Sequence, residues 1–150
     1  MTHQAVARVM LAILCGLQGL ATAAVDLGRD HARNSAWTGH ARFHVVWQTA
    51  AFVALAVFEI ALVFASGPFA EQRFYVAAAL AGIPMLGFFA AFFGRAFYGG
   101  LLADAHGMPP ISIRLFGAEC AIEINLAAEI AGLLVLIATV LLFRQRSLVL

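Results

Sequence analysis

Residues Asp26–Gln48 read DLGRDHARNSAWTGHARFHVVWQ, a polar segment set between two long apolar runs. It holds three of the five histidines (His31, His40, His44) and three of the nine arginines (Arg29, Arg33, Arg42). The run before it, about Val6 to Val25, and the run after it, about His44 to Ala65, each approach or exceed the roughly 20 apolar residues that carry a helix across hydrocarbon. A polar connection between two such runs belongs at a membrane surface. The fold then follows from how many more runs the chain contains.

Two more are present, at about Phe74–Gly94 and Leu115–Phe143, the last long enough to cross with tilt. Composition agrees: the 150 residues are 63% hydrophobic and 11% charged, with mean hydropathy +0.93. A soluble domain carries about 25% charged residues, so this chain cannot cover a water-facing surface. Its basic residues are all arginine and the net charge is +1. That leaves no basic face of the kind nucleic-acid binding requires. The expectation is an all-α integral membrane protein, one domain over residues 1–150, folded as an antiparallel bundle of four transmembrane helices.

The connection 66–73 is short, which makes the second and third helices antiparallel neighbours. Loops 27–43 and 95–114 then share one side, and the termini share the other with the short loop. Loop 95–114 contains Gly99-Gly100, Asp104, His106 and Pro109-Pro110, a length typical of lids and binding segments. Arg8, the apolar run and Ala21-Thr22-Ala23 imitate a secretory leader, but three further spans favour a retained helix. Arginines divide four against five between the two sides, so positive-inside counting barely discriminates. The expected location is a bacterial inner membrane, multi-pass, with the termini in the cytoplasm. Cys15 and Cys120 fall in apolar runs at different depths and read as packing residues, not as a disulfide.

Spacing assigns faces. Gln18, Thr22 and Asp26 follow at steps of four and should look inward, because lipid cannot satisfy their hydrogen bonds. Gly16 and Gly19 lie near that face and permit close helix approach. Asn34-Ser35-Ala36 reads as a turn, Trp37 as an interfacial residue, and Thr38-Gly39 as the start of the second helix. His40, His44 and Gln48 again follow at steps of four, with Glu59 about 60° from that line and roughly 22 Å deeper. Pro84 should kink the third helix. Phe88, Phe89, Phe92, Phe93, Phe97 and Tyr98 either pack on lipid and neighbours or wall a pocket for an apolar ligand. On the fourth helix Glu119 and Glu123 share one face, and Asn125 and Glu129 another; its second half is apolar and stops at Arg144-Gln145-Arg146.

A charge near the bilayer centre costs about 2.5–3.5 kcal/mol on insertion scales, so glutamates inside spans imply function or internal pairing. His40 and His44 at i, i+4 offer two ligands to one ion, and Asp26, His31, Glu119 or Glu123 could complete the shell. Mixed nitrogen and oxygen ligands suit zinc or iron among divalent metals. Without a metal, His40, His44 and Glu123 could act as acid and base on a lipid-soluble substrate. Asn34, Trp37, Arg42, Gln48, Glu59 and Glu129 would then bind ligand or support the site. A plainer reading has Arg29, Arg33 and Arg42 pairing with Asp26, Asp30 and the glutamates, pinning the first loop to the bundle.

The segment Asn34-x-x-Trp37-x-x-His40-Ala41-Arg42-Phe43-His44, with His31 just before it, resembles a family of small four-span bacterial and fungal membrane proteins grouped as a domain of unknown function. In that motif prolines often flank the tryptophan, where Ser35 and Thr38 or Gly39 stand here. The resemblance covers roughly Asp26–Gln48. It implies a four-helix membrane fold and points to these motif residues, without supplying an activity.

The leading expectation is a membrane-embedded His/Asp/Glu site at the bundle mouth, binding a small apolar or lipid-like ligand with or without a metal. One alternative is a proton-coupled carrier or channel component with Glu59 and Glu129 as relay, which would need a polar path joining both ends. Another is a non-catalytic subunit. Membrane lipid is the expected surrounding, with a hydrophobic small molecule and a second copy of the chain as further partners.

Overall fold

The apolar runs fold into four helices: α1 (His3–Asp26), α2 (Gly39–Phe64), α3 (Ala70–Tyr98) and α4 (Ile124–Arg144). The structure is a computed structural model that describes residues 2–103, 109–115 and 117–145. Asp104 and His106 of the third connection, and Arg146, lie outside the described residues. Each helix is long and apolar enough to cross a membrane. The expected all-α four-helix bundle is what forms.

Local chemistry sets the helix ends. The hydroxyls of Thr2 and Thr38 accept from the backbone N–H of Ala5 and Ala41, each at 3.2 Å. These caps satisfy first-turn donors that have no partner within the helix. Helix α2 therefore starts at Gly39, as the Thr38-Gly39 pair implied, five residues before the apolar span at His44, and carries His40 in its first turn. Helix α3 runs through Gly94 and stops at Gly99, whose φ of 70° is the left-handed conformation of a glycine C-cap.

Matched contacts give the directions. Along α1 and α2, Arg8 meets Val63, Gly19 meets Ala56, and Asp26 meets Thr49, so the two helices run oppositely. Arg8 meets Ala70 and Gln18 meets Ala81, so α1 and α3 run the same way across the diagonal. Phe74 stacks on Phe143 and Met85 approaches Gly132, so α3 and α4 run oppositely. The helices thus form a ring, α1 against α2 and α4, and α3 against α2 and α4. The described start of the chain, the short connection and the end of α4 gather at one end. The segments 27–38, 99–103, 109–115 and 117–123 gather at the other, which we call the mouth.

The core is densest at the end away from the mouth, where Ala7, Leu11, Val63, Phe74, Ala77 and Phe143 are buried. Arg8 donates there to the Val63 and Ala70 carbonyls, and Arg73 donates to those of Ala65 and Ser66. Two guanidinium groups thereby cap the carbonyl end of α2, where a positive charge also complements the helix dipole.

One expectation fails. The fourth span does not begin at Leu115: β1 (Ile111–Leu115) and β2 (Ala118–Ile122) pair as an antiparallel hairpin, and α4 starts only at Ile124. The sequence ISIRL alternates apolar and polar with two β-branched isoleucines, which suits a strand. Between the strands, Gly117 takes the positive φ of 86° that tight hairpin turns require. Glu119 consequently lies on β2 opposite Arg114, and Glu123 immediately precedes α4 without a capping hydrogen bond from its side chain. Their spacing of four is not helical spacing.

Candidate functional site: a polar mouth and a groove between α1 and α4

At the mouth, the end of α1 is tied to α2. The buried Thr49 hydroxyl lies 3.2 Å from Asp26 Oδ2 and 2.7 Å from the Val45 carbonyl. His31 stands within electrostatic range of Asp26, and its ring packs edge-on against Trp37 at 5.4 Å. The expected turn at 34–36 forms, with Asn34 Oδ1 accepting from the Ala36 N–H at 2.9 Å. Asp26, His31, Trp37 and Asn34 are therefore brought to one place. Thr49, which sequence reasoning passed over, joins them. Replacing Thr49 with valine keeps the shape and deletes the one hydroxyl that the Asp26 carboxylate and the Val45 carbonyl share. We expect a loss of about 1–2 kcal/mol and faster proteolysis within 27–38, read by thermal unfolding and limited trypsin digestion.

The two other histidines are not part of this group. His40 and His44 face outward on α2, as do Arg42 and Gln48. Their Nε2 atoms are 3.1 Å apart, close enough for one N–H to donate to the other nitrogen. His44 also lies beside the exposed rings of Phe43 and Trp47. The inward stripe of α2 is instead Thr49, Ala56, Glu59 and Val63. The 60° between His44 and Glu59 is enough to leave one outside and the other inside. Among the described residues no three His, Cys, Asp or Glu side chains are placed to hold one metal ion. The pair supplies two nitrogens, and the set Asp26, His31, His40, His44, Glu119 and Glu123 is not assembled.

Glu59 is 1% exposed, on the side of α2 that meets α1, beside the Cys15 thiol. Among the described residues its Oε1 has no hydrogen-bond partner. Cys15 is buried and free, and Cys120 is exposed and free on β2. No disulfide joins them, as the sequence implied.

Away from the mouth residues, α1 and α4 enclose a groove of about 570 Å³. Met10, Ile13, Leu14, Leu17 and Ala21 of α1 face Ala128, Ala131, Gly132 and Val135 of α4, with Met85 of α3 behind. Gly132 keeps the floor open, because a Cβ there would lie 3.1 Å from the Met85 methyl. Only three lining side chains are polar: Gln18, Thr22 and Glu129. Gln18 and Thr22 follow the inward spacing read from the sequence. The Gln18 amide donates to the Ala81 carbonyl at 3.0 Å, one turn before Pro84, leaving its oxygen free to accept. Glu129 is desolvated, and among the described residues neither a charged group nor a hydrogen-bond donor offsets that. Of α3, only Met85 lines the groove, so the aromatic cluster Phe88–Tyr98 is not its wall. Phe93 and Phe97 are among the most exposed side chains, 75% and 95%. The bundle leaves both rings uncovered.

The opposite end of the bundle is closed. Phe74 and Phe143 stack in parallel at 3.7 Å, Tyr75 packs edge-on to Phe143, and the Arg8 guanidinium lies 5.3 Å from the Phe143 ring centre. An apolar end to α4 was legible in sequence. The part played by Arg8 was not, because its acceptors belong to α2 and α3.

These features define a class, a small four-helix protein suited to a membrane, with an apolar groove and a polar mouth. No protein-family model, curated protein or solved structure matches the chain.

Proposed function

We propose that this is a multi-pass membrane protein that holds a small apolar or lipid-like molecule in the groove between α1 and α4. The observation that carries the reading is the groove's lining, ten apolar residues and three polar ones around about 570 Å³. Ligand cavities run about 300–1,000 Å³ and combine apolar walls with a few polar groups that fix orientation. Glu129 and the free oxygen of Gln18 are acceptors, so the ligand's polar end is a hydrogen-bond donor such as a hydroxyl. Ligand enters from the lipid, between two helices, without crossing water.

The site therefore lies beside α4, not around His40 and His44. Carrier function is the weaker alternative, since the Phe74–Phe143 stack counts against a polar path through the far end. A purely structural subunit would have no need of such a groove. The proposed location is a bacterial inner membrane with the termini in the cytoplasm.

Ala128→Phe fills the groove with an aromatic ring, and Glu129→Leu removes the acceptor. Purified wild-type protein should carry over a near-stoichiometric apolar molecule, identified by organic extraction and mass spectrometry. Ala128→Phe should abolish that retention. Glu129→Leu should weaken it about tenfold, the effect of one hydrogen bond of about 1–1.5 kcal/mol. Equal retention by both variants would refute the reading.

A further inference from the structure

The β1–β2 hairpin sorts its side chains more cleanly than its position as a connection requires. Residues paired across an antiparallel ladder share a face, and successive residues alternate. The pairs Ile111↔Ile122 and Ile113↔Cys120 therefore occupy one face, and Ser112↔Ala121 and Arg114↔Glu119 the other. The first face is wholly apolar, and the second carries the hairpin's charges as an opposed pair. Yet that apolar face is poorly covered: Ile111 is 52% exposed, Cys120 is exposed, and Ile113 and Ile122 are only half-buried. A lone two-stranded hairpin is marginally stable in water, so this one needs a surface on which to lay its apolar side.

Its position in the chain supplies the surface. Strand β2 ends at Ile122 and α4, one of the four apolar helices, begins at Ile124. The hairpin is thus held within two residues of the start of α4, a helix apolar enough to cross a membrane, on the mouth side of the bundle.

We propose that the hairpin is an interfacial membrane anchor, lying along the headgroup boundary with Ile111, Ile113, Cys120 and Ile122 against the acyl chains and Arg114 and Glu119 toward water. Interfacial elements of this kind combine one apolar face, buried about 5–10 Å into the boundary, with one charged face. The occupant of the exposed face is the bilayer itself. The hairpin then fixes the depth and tilt with which α4, one wall of the groove, enters the membrane.

The test uses the full chain in phosphatidylcholine–phosphatidylglycerol vesicles. Because Cys15 is buried, a nitroxide reagent should label Cys120 alone, and Cys120→Ser should remain unlabelled. In the Cys120→Ser background, labels are then placed at Ile113→Cys, Ser112→Cys and Ala121→Cys. Power-saturation spectroscopy compares accessibility to oxygen, which concentrates in lipid, with accessibility to a water-soluble nickel chelate. Labels at 113 and 120 should favour oxygen and those at 112 and 121 nickel, the preference reversing at each step along a strand. Nickel accessibility at all four positions would overturn the proposal, since the hairpin would then stand in water. Shielding of 113 and 120 from both reagents would also overturn it, because protein would cover that face.

Discussion

Replacing Gly19 with leucine should prevent α1 from docking on α2. A Cβ placed on Gly19 falls 2.8 Å from the Ala56 Cβ, 3.5 Å from the Phe52 carbonyl oxygen and 3.5 Å from the Val53 Cα. These atoms belong to the α2 backbone or are fixed directly to it, so no rotamer relieves the contact. Ordinary carbon contacts lie at about 3.5–4.0 Å, so even alanine must push the helices apart by about 1 Å. Lipid tails are as apolar as leucine, and helix association in a bilayer therefore rests on close packing, which small residues at the interface permit. The interface at stake is the most extensive in the bundle. Gly19→Ala should lower stability by about 1–3 kcal/mol, the range for overpacking, and Gly19→Leu should leave little folded protein. Because the worst contact is pairwise, Ala56→Gly should recover part of the loss caused by Gly19→Ala, giving a favourable coupling in a double-mutant cycle. Unfolding of purified protein by denaturing detergent measures all four species. An unimpaired Gly19→Leu would show that the helices do not approach as described.

That small residues belong at this contact was legible from Gly16 and Gly19 beside an inward polar stripe. So were the four spans, the start of the second helix at Thr38-Gly39 and the turn at Asn34, because each is set by neighbours within a few residues. Signals that depend on period alone were less reliable. Glu119 and Glu123 stand four apart, which suits a helix face, but four is also an even step along a strand. The alternation in 111–115 and the glycine at 117 decide for the hairpin. The turned-out histidines show a second ambiguity. Helix α2 is apolar nearly all round, so composition does not mark its buried stripe, which is chosen by the fit to α1 and α3. The groove was half legible: Gln18, Thr22 and Glu129 were picked out, but their common pocket exists only once α1, α3 and α4 stand together. Arg8 was the least legible, a cation near the chain start whose acceptors lie 55 and 62 residues away.

The end of the bundle that Arg8 closes should be the other place where one substitution has a large effect. Phe143 is 2% exposed and stacked on Phe74 at 3.7 Å with the ring planes 7° apart. Tyr75 meets it edge-on at 5.5 Å, and the Arg8 guanidinium lies over both stacked rings. In soluble cores a Phe→Ala change costs about 3–5 kcal/mol, part transfer free energy and part cavity. Here the unfolded side chain would rest in lipid, so the transfer part largely falls away and the cavity part remains. We expect Phe143→Ala to cost about 2–3 kcal/mol on this reasoning, and Phe143→Leu distinctly less. The loss should not be confined to the rings. Arg8 reaches the Val63 and Ala70 carbonyls from its position over the stack, so a cavity beneath the guanidinium frees it to leave both acceptors. Arg8→Leu removes the same two hydrogen bonds from the other side, leaving an α2 carbonyl without its partner at a helix end. Because the two changes undo one assembly, their combined cost should fall short of the sum of the single costs, by about 1 kcal/mol or more. Strict additivity would mean that Arg8 and the ring stack stabilise this end independently. Thermal unfolding of the two single variants and the double variant decides between these outcomes. The groove supplies a second readout, since of its lining residues only Leu14 and Met85 belong also to the buried core cluster that holds Phe74 and Phe143, and neither adjoins the stacked rings in sequence. Below the unfolding transition, Phe143→Ala should still retain an apolar molecule, whereas a carrier whose path ends at the stack would release it.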